Sequence, residues 1–395
     1  MRILFAALGR AGHAFPLVPL ARAVREVGHT VSFAVGFEVR DAVASTGIDT
    51  VVVGGGMREA FVATMASRGL TKRPSDPESM RSLAREVFGS VLPRRRLADL
   101  RPWLVEHPVD LVVAEVGDPG AALAAAGAGV PCVLHSFGRR PGPGAPMRAL
   151  LTGPVVEVAR EAHVPLVEGD PLGHAYLDVC PPSLQSEPVG DEPPELALRP
   201  TAWNPPVLSS PRPEPGRAWV YLTLGTVFGD SAVLRAAAGA LARLPVDVLV
   251  ATGSVAPDEL ADLRRAPGGG ARAVRIESFV AQAELLASDT PPRLVAHHGG
   301  SGTTLAAAAA GVPQLFLPQG ADQFLNAAAV TGVGAGRTVP TESADDPAAD
   351  ALIDAAGALL EDGAERASAA ALAAEIAAMP SPVELAARIE DWGRP

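Results

Sequence analysis

The chain has 395 residues, 48% of them hydrophobic, and a formal net charge of −11. That length exceeds what one hydrophobic core supports, so two domains are expected, and the acidic balance argues against nucleic acid as a partner. Two cysteines, Cys132 and Cys180, are too few for a disulfide framework, no run of 18 apolar residues occurs, and the apolar run at residues 3–8 has strand length with no cleavage site after it; these features point to a reduced, cytoplasmic protein without stable membrane insertion.

The first half alternates in type. Residues 3–8 read as a strand, 16–28 carry apolar residues at helical spacing, 30–35 are a strand, 39–46 a helix and 50–53 a strand. Further on, 109–114 is a strand, 121–129 a helix and 132–135 a strand. Such repetition predicts a parallel sheet covered on both faces. Between 54 and 108 the pattern loosens into polar helical stretches, where Arg94-Arg95-Arg96 reads as a solvated helix face, and 136–176 gives only loops and helices. Prolines crowd residues 181–216, an extended linker. Alternation then resumes with a strand at 218–224, a helix at 232–243, a strand at 247–251, a helix at 258–265 and strands at 274–276, 294–297 and 315–317. A terminal helix over 383–392 follows Pro380-Ser381-Pro382. The fold class is α/β, with two parallel-sheet domains whose strand C-terminal ends face a shared cleft.

The most informative stretch is His297-His298-Gly299-Gly300-Ser301-Gly302-Thr303-Thr304, between an apolar strand and an alanine-rich helix stopped by Gly311-Val312-Pro313. A helix start offers unpaired N–H groups and positive partial charge, glycines let an anion approach, and the hydroxyls can complete a diphosphate cradle. The alternative is a turn kept small only for tight packing. Neither GxxxxGK[ST] nor GxGxxG with a following acid occurs, which disfavours a P-loop NTPase and a nicotinamide dehydrogenase and leaves a nucleotide-sugar as the natural diphosphate. At the end of the first strand, Gly9-Arg10-Ala11-Gly12-His13-Ala14-Phe15-Pro16 presents His13 either as a general base or as a helix-capping histidine. A base needs a carboxylate on its second nitrogen; Glu115 is marginally favoured over Asp118, which could equally cap the next helix. Leu222-Thr223-Leu224-Gly225-Thr226 is another anchor at a strand end, or an ordinary turn. Asp322 and Gln323 suit sugar hydroxyls, although Asp322 alone would pass for a helix cap. No Asp-X-Asp pair and no zinc spacing occurs, and the adjacent His297 and His298 would point to opposite faces of a strand, so no metal site and no cofactor are expected.

Taken together, these segments resemble the metal-independent, inverting glycosyltransferases of GT-B architecture, and more narrowly the actinobacterial branch that decorates polyketides, enediynes and macrolides. The resemblance runs through Gly12-His13-x-x-Pro16, Leu224-Gly225-Thr226, the loop at 298–303, Gly311-Val312-Pro313 and Pro318-Gln319-Gly320-Ala321-Asp322-Gln323. It implies two Rossmann-like domains: residues 1–205 binding the acceptor, with 383–395 returning to them, and 206–380 binding the nucleotide-sugar. It implies His13 as base with an acidic partner at Glu115, in whose place many relatives carry Asp. His298, Gly299, Gly300, Ser301, Gly302 and Thr303 would hold the diphosphate, Asp322 and Gln323 the sugar, with Gly225 and Thr226 also on the donor. Phe279, Val280 and Gln282 would hold the base, Phe279 replacing the family's usual Trp. The expected reaction moves a hexose or deoxyhexose from a nucleoside diphosphate, thymidine favoured over uridine, to a hydroxyl of a hydrophobic aglycone. A homodimer is compatible with it. Alternatives are a nucleotide-sugar epimerase of the same architecture and a catalytically silent nucleotide-sugar-binding partner protein.

Overall fold

A computed structural model of the chain describes residues 1–74, 76–140, 146–166, 172–185, 195–206, 216–225, 230–265, 273–340 and 346–392. It divides into two compact units, one of Met1–Cys180, Glu187–Arg199 and Pro380–Pro395, the other of Pro181–Ser186 and Pro200–Met379. The division therefore falls at Arg199/Pro200 rather than after residue 205, and residues 181–186 go with the second unit. Half of the proline-rich stretch expected as a linker, 186–194 and 207–215, lies outside the described residues.

The first unit holds a seven-stranded sheet made of β1 (Arg2–Ala6), β2 (Thr30–Val35), β3 (Asp49–Val52), β4 (Leu111–Glu115), β5 (Cys132–His135), β6 (Ala175–Asp178) and β7 (Glu195–Ala197), in the order β3-β2-β1-β4-β5-β6-β7. All neighbours run parallel. Parallel strands covered on both faces read as unbroken apolar runs, and Ile3, Leu4, Phe5 and Ala6 are all buried. The order reverses between β1 and β4, the kind of switch point outside whose carboxyl ends ligands bind. The last helix, Pro382–Ala386, starts with a capping box between Ser381 and Glu384 and packs on the helix Val18–Glu26 of this unit.

The second unit repeats the scheme with β8 (Trp219–Thr223), β9 (Asp247–Ala251), β10 (Val274–Glu277), β11 (Leu294–His297), β12 (Gln314–Phe316) and β13 (Gly336–Thr338) in the order β10-β9-β8-β11-β12-β13. Its switch point lies between β8 and β11. Three strands, β6, β7 and β13, were not expected, and the helix expected at 258–265 is a 3-10 run, Pro257–Arg265. The terminal helix is likewise shorter than 383–392, ending at Ala386 before a 3-10 turn, Ile389–Asp391. By length and composition, the stretch Ala364–Ala386 is the one among the described residues apolar enough to cross a membrane. It is two helices, Ala364–Ala378 and Pro382–Ala386, broken at an extended Met379 and divided between the two units.

The arginine triplet corrects a sequence expectation. Arg94 is exposed, but Arg96 is 1% accessible. On the helix Leu92–Glu106 it shares the inward stripe of Leu92, Pro93, Leu97, Leu100 and Leu104, whose spacing of three and four overrides the charge. Its guanidinium donates to the carbonyls of Ala34 (3.3 Å) and Val53 (3.2 Å) and pairs with Asp118. Arg96 thus ties the ends of β2 and β3 to the segment after β4. Replacing Arg96 with Met strands a buried carboxylate and is expected to lower stability by about 3–5 kcal/mol, read from the urea midpoint. Adding Asp118→Asn should recover much of that loss, because the amide oxygen can still accept from Ala121.

Candidate active site

The two strands that flank the first switch point supply a histidine and a carboxylate. After β1, the main chain turns through Arg10, whose carbonyl accepts from His13 N (3.0 Å), into the short helix Ala11–Ala14. After β4, the chain turns at once, with Asp118 N donating to the carbonyl of Glu115 (2.8 Å). Glu115 is the last residue of β4 and fully buried. Its Oε1 accepts from Gly117 N at 2.5 Å, and its Oε2 lies 3.1 Å from His13 Nδ1. A carboxylate only accepts, so a proton held on Nδ1 toward Glu115 would leave the lone pair on Nε2. The Phe137 ring packs on the His13 ring with centroids 5.1 Å apart.

The alternative carboxylate, Asp118, is used otherwise. Its Oδ1 accepts from Ala121 N (3.2 Å) as cap of the helix Pro119–Ala128, and its Oδ2 takes Arg96. Burial pushes the Asp118 carboxyl up and Arg96 pulls it back down. The geometry therefore pairs His13 with Glu115 and gives Asp118 to the scaffold.

At the second switch point, His297 closes β11 and the chain turns into the helix Ser301–Ala309. Gly300 stands at the cap position in extended backbone and offers no side-chain acceptor, so the first-turn N–H groups keep no intrahelical partner. Gly299 has φ +96°, and a Cβ there would meet the main chain of Gln323 at 2.9 Å. The His298 ring lies between glycines: a Cβ on Gly300 would come within 2.5 Å of its Nε2, and one on Gly225 within 2.7 Å of its Cε1. Gly302 is exposed with open space beside it. The expected cradle is thus a bare helix start beside an imidazole.

Its hydroxyls are turned to neighbours. Ser301 Oγ donates to Asp322 Oδ2 (2.8 Å), and Thr303 Oγ1 donates to Gln282 Oε1 (3.1 Å), which joins the loop to the segment Phe279-Val280-Ala281-Gln282. Phe279 is 49% exposed, as a stacking face requires, whereas Val280 is buried. Asp322 makes no cap bond but remains exposed, one oxygen held by Ser301 and by Asn326 Nδ2 (3.1 Å). Gln323 is buried, its Oε1 accepting from the main chain of Gln319 (2.7 Å) and Gly320 (3.2 Å). Between them Ala321 sits at φ 53°, a left-handed conformation costly for a side-chain-bearing residue. Thr226 lies outside the described residues. Asn326 was not singled out in sequence, yet its Nδ2 reaches Gly299 O (2.8 Å), Ser301 Oγ (3.1 Å) and Asp322, binding the loop to the sugar segment. Its position four residues after Asp322 on one helix was the available signal.

Among the described residues no group of three His, Cys, Asp or Glu side chains is placed to hold a metal ion.

The chain is similar to several known proteins. Residues 238–392 match the family described as erythromycin biosynthesis protein CIII-like, C-terminal domain. The L-demethylnoviosyl transferase of Streptomyces niveus is 36% identical, with 98% of this chain and 97% of that protein aligned. The chain belongs to the actinobacterial natural-product glycosyltransferases. The enzyme has the GT-B architecture of two Rossmann-like domains: it is similar to the glycosyltransferase SsfS6 of Streptomyces sp. SF2575 complexed with thymidine diphosphate, at TM-score 0.76 and 26% identity over 99% of both chains. The spinosyn rhamnosyltransferase SpnG complexed with spinosyn aglycone is similar too, at TM-score 0.73 and 25% identity over 99% of this chain and 100% of that one.

Two buried histidines and one half-buried histidine of the glycosyltransferase set an acid limit on its stability. Desolvation lowers His135 to about 4, His297 to about 3 and His298 to about 4, against an ordinary 6.5. At His298 the Asp322 carboxylate and the Thr223 main chain oppose that shift without cancelling it. Below pH 6.5 the unfolded chain binds protons that the folded chain refuses, so stability should fall as pH drops from 6.5 toward 4, by about 1.4 kcal/mol per pH unit for each histidine. Equilibrium unfolding between pH 4.5 and 6 checks this, and His297→Gln should make the slope shallower by one histidine's share.

Proposed function

We propose that this glycosyltransferase moves a hexose or deoxyhexose from a thymidine diphosphate sugar to a hydroxyl of a hydrophobic natural-product acceptor, with inversion and without a metal ion. The observation that carries the reading is the His13–Glu115 pair, an imidazole whose Nδ1 lies 3.1 Å from a fully buried carboxylate. His13 Nε2 takes the proton from the acceptor hydroxyl, Glu115 stabilises the imidazolium, and the oxygen attacks the anomeric carbon opposite the leaving group. The oxygen–carbon bond forms as the bond from the anomeric carbon to the diphosphate breaks. The diphosphate departs with its charge met by the first-turn N–H groups of Ser301–Ala309. Asp322 holds sugar hydroxyls, and Phe279 stacks on the nucleobase. Thymidine is favoured because SsfS6 is complexed with thymidine diphosphate. A single displacement with one base accounts for inversion, and the sequence contains no Asp-X-Asp pair to bridge a metal to the diphosphate.

Replacing His13 with Ala should leave thymidine diphosphate affinity, measured by calorimetry, close to that of the parent, because the donor contacts lie in the second unit. Transfer to an alcohol acceptor should fall by roughly 10²–10⁴-fold. Transfer by the variant at the parent rate would remove His13 from the mechanism. Glu115→Gln should also slow transfer strongly.

Activity should persist in excess EDTA. Collapse on chelation, with recovery on adding magnesium or manganese, would overturn the metal-free reading.

A further inference from the structure

A second carboxylate in the first unit stands close to the loop that carries His13 and belongs to no part of the reaction described so far. Glu38 lies in the 3-10 turn Phe37–Val39 that follows β2. Its Oε1 accepts from Met57 N at 3.1 Å, at the start of the helix Met57–Ser67. Its carboxylate fills space cleared by three glycines. A Cβ on Gly9 would come within 2.3 Å of Oε2, one on Gly36 within 2.9 Å, and one on Gly56 within 3.0 Å of Oε1. The charge is therefore fixed in position from two sides. Glu38 is nevertheless exposed, and Oε2 has no hydrogen-bond partner or counter-cation among the described residues. A carboxylate placed this tightly with one oxygen unused is a preorganised acceptor.

Its surroundings suit a ring-shaped, largely apolar ligand. The neighbouring Phe37 is 58% exposed, and its ring stands with Glu38 Oε1 against Gly56, so an apolar face lies beside the carboxylate. Gly9 lies four residues before His13, so their main chains are at most about 14 Å apart. One fused-ring molecule spans such a distance.

We propose that Glu38 is a specificity-determining residue of the acceptor site, its Oε2 accepting a hydrogen bond from a second hydroxyl of the acceptor, remote from the one that receives the sugar. The inference rests on the transfer reading, which places the acceptor at His13. A hydrogen bond to a charged group favours the dihydroxylated acceptor by about 10- to 100-fold.

The test is direct binding to the full chain, followed by naphthol fluorescence, with 2-naphthol, 2,6- and 2,7-dihydroxynaphthalene and 6-methoxy-2-naphthol as probes. The parent protein should bind at least one dihydroxynaphthalene about 10-fold or more tightly than 2-naphthol. The methoxy compound, which cannot donate, should lose that advantage, a comparison that needs no variant. Glu38→Gln keeps an oxygen for Met57 N but removes the charge, and should narrow the ratio to within about 3-fold at an unchanged melting temperature. Equal binding of all probes by the parent, a ratio that survives in Glu38→Gln, or a methoxy compound that binds like the diols would each overturn the proposal. Sugar transfer is read separately: its absence with every acceptor defeats the transferase mechanism, whereas an undisturbed ratio in an active enzyme defeats only the role of Glu38.

Discussion

Two carboxylates held out of water three residues apart, Glu115 and Asp118, are the constraint around which the first unit is arranged. The Glu115 charge raises the cost of ionising Asp118, and neither side chain reaches bulk solvent. The fold separates their partners. Asp118 receives a permanent cation from the helix Leu92–Glu106, together with a helix N–H. Glu115 receives a main-chain N–H and a titratable ring. The acid that meets the permanent charge is locked into structure, while the acid that meets the histidine gains most when that ring is protonated. A general base needs this asymmetry, since its partner must favour the imidazolium without making it permanent.

The second unit meets an opposite electrostatic demand by different means. Under the proposed reaction a chain with net charge −11 accepts a diphosphate, and it brings no lysine or arginine to the loop after β11. The loop offers the main-chain dipoles of a helix start that has no side-chain cap. Such donors are stiff and do not titrate. The Ser301–Asp322–Asn326 and Thr303–Gln282 contacts then link the glycine-rich loop to the segments read as sugar and base sites, so the three segments share one framework.

Much of this was legible in the sequence because parallel strands buried on both faces advertise themselves. β2, β5, β9 and β11 fall on the apolar runs that announced them. The strands that escaped, β6, β7 and β13, are three or four residues long, and β13 is Gly336-Arg337-Thr338, with no apolar pattern to read. Glycine-rich composition marked out the loop read as a diphosphate cradle, which the structure places at a helix start without a side-chain cap. The choice between Glu115 and Asp118 was not legible, because both follow the same strand and only the tertiary position of Arg96 separates them. Arg96 itself was hidden by its neighbours. Three consecutive arginines look solvated, whereas the spacing of Leu92, Arg96 and Leu100 marks an inward stripe.

The first unit is not contiguous in the chain: after the second unit is complete, Pro380 leads the polypeptide back and Pro382–Ala386 packs on Val18–Glu26. On the ribosome, the half that is made first is therefore the half that is finished last. Until some 180 residues of the second unit have emerged, the apolar flank of Val18–Glu26 has no cover and must be shielded by transient contacts or by chaperones. Vectorial synthesis thus makes completion of the first unit conditional on synthesis of the second, an order written into connectivity rather than into any side chain.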